Sequence, residues 1–145
     1  MNQPKVTFYP LKTAAEDTVR QFACRLAEKA FQLGHRVHLL VSSEADAAQL
    51  DELLWSFRDT SFLPHLRLPA DAANPDEPGV TLGSGTALPT EPGVLINLTN
   101  TLTEHHDVFA DIREIIPDDE TLRDQGRQRY RYYRERGYEV ETINL

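Results

Sequence analysis

Two short apolar runs, VTFY at residues 6–9 and VHLLV at 37–41, bracket a stretch whose apolar residues recur every three or four positions. Val19, Phe22, Ala23, Leu26, Ala30 and Leu33 keep the helical period, so the stretch reads as an amphipathic helix between two strands. Thr13 and Glu16 form a T-x-x-E pattern, which predicts a capping box at its start, and Gly34 supplies the stop. Strands separated by a helix cannot form a hairpin. They are expected to lie parallel in one sheet, joined by a right-handed crossover.

The rest of the chain continues the alternation. Ser43 begins a second helix running to about Phe57, with Leu50, Leu53, Leu54 and Phe57 forming one buried stripe. Further strands are predicted at 80–82, 94–98 and 112–116, then a helix rich in arginine and tyrosine, then a last strand at 138–143. The proline- and aspartate-rich PADAANPDEPG, residues 69–79, reads as an exposed loop. With 145 residues the chain fits one domain, residues 1–145. The expected fold is a three-layer α/β/α domain on a mostly parallel or mixed sheet, Rossmann-like but without a glycine-rich phosphate loop.

Composition removes several function classes. No apolar run reaches the roughly 18 residues of a membrane span, and MNQPKVTFYP lacks the apolar core of a signal peptide, so a cytoplasmic location is expected. The lone Cys24 falls among apolar helix positions and reads as a small buried hydrophobe. The first strand leads into YPLKT, which has no glycine to bring backbone amides onto a phosphate. Gly83-Ser84-Gly85-Thr86 lacks the full phosphate-loop spacing and reads as a turn. His105, His106 and Asp107 have no third ligand at helical spacing and read as exposed polar residues; Ser61 and His65 lack a nucleophile-elbow context. No catalytic, cofactor or metal site is expected.

Two surfaces stand out instead. Trp55 falls more than 90° from the centre of the leucine stripe, by the 100° step of a helix. A tryptophan so placed is either tucked under a loop or offered to a partner, and Phe62, Leu63 and Pro64 add apolar surface nearby. The second surface is RQRYRYYRERG, residues 127–137. Six arginines in the window 121–137 face two acids, so the window carries +4 in a chain of net charge −8. Arg123, Arg127, Tyr130, Arg131 and Arg134 share one arc of the helix, while Leu122, Gly126 and Tyr133 turn to the other flank. Gly126, costly in a helix, implies close approach to the sheet. Crowded arginines call for an external counter-charge, and both DNA phosphate and an acidic peptide qualify. Ile115, Ile116 and Pro117 place apolar surface beside the basic face, which suits a short acidic peptide with an apolar end better than a duplex backbone.

These blocks carry a resemblance. VTFY, LDELLW with SFLPH (50–65), VLINL, IIPDDE and the closing RQRYRYYRERGYEV together make the chain similar, end to end, to the chi subunit family of bacterial DNA polymerase III, clamp-loader accessory proteins. The resemblance implies a noncatalytic adaptor in DNA replication. It would join the psi subunit to the C-terminal tail of single-stranded DNA-binding protein, an acidic tail ending in an aromatic residue with a free carboxylate. It implies psi contacts at Trp55 and Phe62, with Leu63 and Pro64 as looser candidates. It implies tail contacts at Ile116, Arg123, Arg127, Tyr130, Arg131, Arg134 and Gly137, no cofactor, no membrane, and mainly indirect contact with DNA. Two other classes compete. One is direct binding of single-stranded nucleic acid with tyrosine as a stacking platform, against which the acidic remainder argues. The other is a nucleotide-binding enzyme of similar fold, which would need the missing phosphate loop.

Overall fold

Every strand anticipated from an apolar run enters one seven-stranded sheet, and all six pairings are parallel. The structure, a computed structural model, describes residues 3–56, 63–68, 78–85, 87–102 and 106–144. In chain order the elements are β1 (Lys5–Pro10), α1 (Glu16–Gln32), β2 (Val37–Leu40), α2 (Glu44–Ser56), β3 (His65–Arg67), β4 (Val80–Gly83) and β5 (Val94–Asn97). A short 3-10 turn (His106–Val108), β6 (Asp111–Ile116), α3 (Glu120–Glu135) and β7 (Glu139–Thr142) complete the chain. The sheet order is β3-β4-β2-β5-β6-β1-β7, so β5 and β6 separate β1 from β2.

Helices lie on both faces, which accounts for the near-continuous apolar runs of the inner strands. Successive side chains of a strand face opposite ways. Leu95, Ile112 and Ile116 accordingly join a core with Tyr133 of α3, while Ile96 and Ile115 join a second core with α1 and α2. The edge strand β7 carries exposed Glu139 and Glu141, charges of the kind that discourage pairing with another sheet.

Two details depart from expectation. The capping box does not form: Thr13 Oγ1 accepts from the Ala15 amide at 3.1 Å, so the helix starts at Glu16 behind Ala15, which makes no side-chain cap. β3 was not foreseen, because three residues, HLR, carry no periodic signal and are strand through pairing with β4 alone. Of the residues singled out earlier, Phe57, Ser61, Phe62, Thr86, His105 and most of the 69–79 loop lie outside the described residues.

Candidate functional site

The position of α3 is fixed from its first residue. Asp119 Oδ2 accepts from the Leu122 amide at 2.9 Å, capping the helix and satisfying one of its free donors. Gly126 then lets the helix sit low on the sheet: a Cβ there would meet Ile116 Cδ1 at 3.0 Å. At the far end Gly137, with φ +81, turns the chain into β7, a conformation that any Cβ would disfavour.

Below the helix lies a buried polar bolt that sequence reading missed. Glu114, on the same face of β6 as Ile112 and Ile116, is fully buried and meets Arg129 Nε at 3.2 Å and Tyr133 OH at 2.7 Å. Asn97, its register partner on β5, donates to the same carboxylate at 3.1 Å. Burial pushes the Glu114 carboxyl up, opposed chiefly by Arg129. Arg129 and Tyr133 stand four residues apart on α3, so one carboxylate fixes the rotation of the helix. A signal existed: a glutamate between two isoleucines in strand period needs a buried cation, and Arg129 falls on the inner flank of α3.

Rotated in this way, α3 presents its outer flank to the carboxyl ends of β1 and β7, leaving a groove of about 380 Å³. Phe8, Pro10 and Ile116 make it apolar, and Arg123, Arg127, Arg131 and Tyr130 line the helix side, with no carboxylate in the lining. Tyr130 packs against Phe8, ring centroids 5.3 Å apart, and the Arg134 guanidinium lies 6.0 Å from its centroid. The ring is therefore a wall of the groove more than a free platform. Among the arginines the commitments differ. Arg123 lies 3.0 Å from Asp118 and Arg127 lies 3.8 Å from Asp124, whereas Arg131 is exposed and has no ion pair among the described residues.

Five of the seven residues expected at the arginine surface thus meet in one groove: Ile116, Arg123, Arg127, Tyr130 and Arg131. Arg134 buttresses it through Tyr130, and Gly137 sits at the turn beyond. Phe8 and Pro10 were not named in advance, since a strand's apolar residues look like core until the helix over them is placed. Arg136 is turned away and stacks on Tyr132 at 5.1 Å.

On α2, Trp55 is 52% exposed, and its ring lies 4.3 Å from that of His65. His65 is held in turn by the Leu63 carbonyl and by Asp51 Oδ1, each at 2.8 Å, the second poorly aligned for a hydrogen bond. Trp55 is therefore braced on one side by His65 and open to solvent over about half its surface. The Leu63 side chain is buried in the α1/α2 core, and Pro64 is half-buried. His106 corrects the expectation of an exposed polar residue, being buried against Tyr132, Tyr133 and Tyr138. Cys24 is buried as expected, its thiol pushed up to about 12 by burial. Among the described residues there is no group of three potential metal ligands, and no helix long and apolar enough to cross a membrane.

The class these features define is a parallel α/β protein with a basic-apolar groove at the edge of its sheet. Residues 3–141 match the family described as DNA polymerase III chi subunit, HolC, and the chain belongs to that family. It is 36% identical to the DNA polymerase III subunit chi of Pseudomonas aeruginosa over 141 residues, covering 97% of this chain and 96% of that one. The corresponding subunit of Haemophilus influenzae is 31% identical over 138 residues, covering 95% of each chain. The chi subunit of Escherichia coli is 27% identical, covering 86% of this chain and 84% of its own. The crystal structure of T4 UvsW matches with a TM-score of 0.62 at 10% identity, covering 97% of this chain and 41% of that chain; the likeness is one of fold alone.

Proposed function

We propose that the chain is a noncatalytic adaptor of the replication machinery, holding the psi subunit through Trp55 and Phe62 and the acidic tail of single-stranded DNA-binding protein in the α3 groove. Membership of the chi family gives the accessory role in replication. The observation that supports the tail reading is the groove's lining, three arginines over an apolar floor with no carboxylate, in a chain of net charge −8. An acidic peptide with an apolar terminal residue matches both halves of that lining. Tyr130, engaged by Phe8 and Arg134, is a poor stacking surface for bases.

The test is a peptide titration against single variants. Arg131 has no ion pair among the described residues to give up, so Arg131→Ala should cost most, on the order of 1–2 kcal/mol or roughly tenfold in affinity. Arg127→Ala and Arg123→Ala should cost less, because binding already trades away their contacts with Asp124 and Asp118. Added salt should weaken the wild type more than Arg131→Ala. Affinity indifferent to all three substitutions would remove the groove from the account.

A further inference from the structure

A second cleft lies on the opposite face of the sheet. α1 packs over β2 and β5, and beside it, toward β1 and β6, runs a cleft of about 610 Å³. Its cationic side is Arg25, Lys29 and Arg113, and again no carboxylate lines it, although the chain holds 23 Asp and Glu against 15 Lys and Arg. Arg113 is already paired with Asp111 at 2.7 Å, but Arg25 and Lys29 are exposed and have no ion pair among the described residues. They stand four residues apart on one helix, where like charges repel. The apolar rim includes Leu33, 69% exposed, and Ile143, 38% exposed, two of the few large apolar side chains left open to solvent.

The two concavities are back to back on one sheet edge. Phe8 and Pro10 line the α3 groove and Tyr9, between them, lines the α1 cleft; Thr142 lines the first and Ile143 the second. This is the strand alternation of β1 and of the end of β7, and β7 is the edge of the sheet. A chain leaving the α3 groove past Ile143 has roughly 10 Å of sheet edge to round, about three or four extended residues.

We propose that a single acidic peptide occupies both, its terminal residues in the α3 groove and its upstream segment wrapped past Ile143 into the α1 cleft. This rests on the tail reading given above. Upstream carboxylates meet Arg25 and Lys29, and interspersed aliphatic side chains cover Leu33 and Ile143. The chemistry favours a peptide over a nucleic acid: the exposed apolar groups Leu33 and Ile143 are aliphatic, Tyr9 is buried and Phe22 half-buried, and His35 is the exposed ring in the lining, where a stacking platform would present several.

The experiment uses the full chain and two labelled peptides sharing one C-terminus, a short one of about six residues and a long one of about twenty, acidic with scattered aliphatic residues. The long peptide should bind roughly five- to tenfold more tightly, the gain of a tethered second contact. The double variant Arg25→Ala, Lys29→Ala should erase that gain and leave the short peptide unchanged, and Leu33→Ser should reduce it. Equal affinity of the two peptides for the wild type, or a gain indifferent to the double variant, overturns the second cleft while the α3 groove stands. If the short peptide fails to bind, the tail reading itself has failed and this inference falls with it. An oligonucleotide of equal charge that binds more tightly than the long peptide, and is lost in the double variant, would assign the cleft to nucleic acid and overturn the proposal.

Discussion

Arg129→Ala is expected to destabilise the fold by about 3–5 kcal/mol, the largest effect of any single substitution on α3, because it leaves the Glu114 carboxylate buried without its cation. The loss has a pH signature. Burial already raises the Glu114 carboxyl, and Arg129 is the chief influence holding it down, so the variant's folded state takes up a proton that the unfolded chain releases. Stability from a raised carboxyl is present at low pH and is lost as pH rises through the folded value. The deficit relative to wild type should therefore widen in chemical denaturation as pH rises above the raised wild-type value of Glu114. Adding Glu114→Gln to Arg129→Ala should recover part of the loss, since glutamine leaves no buried charge. A cost under about 1 kcal/mol that is flat with pH would mean that the bolt is not what holds α3.

On the proposed psi reading, Trp55→Ala should weaken association with psi by about 2 kcal/mol or more, roughly thirtyfold, because a large exposed aromatic that a partner buries can carry much of the binding energy. His65, held by the Leu63 carbonyl and close to Asp51, packs against the indole with ring centroids 4.3 Å apart, a contact that would lower the side-chain entropy lost on docking. Since about half of Trp55 faces solvent in the free protein, the same substitution should change folding stability by less than about 1–2 kcal/mol and leave peptide binding at α3 intact. Joint loss of stability and both binding activities would instead make Trp55 a core residue.

The sequence was legible where one physical signal dominated. Apolar runs such as VHLLV and VLIN fell where buried parallel strands fall, and Gly126 announced its contact with Ile116 because a mid-helix glycine needs a reason. The arginine count was a coarser guide. Of six arginines in the window, Arg129 is in the core and Arg136 is stacked on Tyr132, and which of them face the groove depends on a helix rotation set by Glu114. Phe8, Pro10 and Thr142 were hidden for a related reason: strand period says which residues share a face, not which face is left open at the sheet edge. The cluster of Tyr132, Tyr133 and Tyr138 around His106 in the α3 core was illegible, because His106 reaches these rings from far away in sequence through side-chain contacts, one of them a 3.3 Å hydrogen bond with the Tyr138 hydroxyl.

The central claim is that the α3 groove reads an acidic chain terminus, its charge and its shape together. The direct measurement titrates the protein with three labelled ligands: an acidic peptide ending in an aromatic residue with a free carboxylate, the same peptide without that residue, and an oligonucleotide of equal charge. The groove pairs arginines with Phe8, Pro10 and Ile116, so the intact peptide should bind best and lose roughly tenfold or more on truncation, with the oligonucleotide weaker than the intact peptide. If the truncated peptide binds as well as the intact one, the apolar floor is not read, the arginines are a generic anion patch, and the specific-terminus account is wrong.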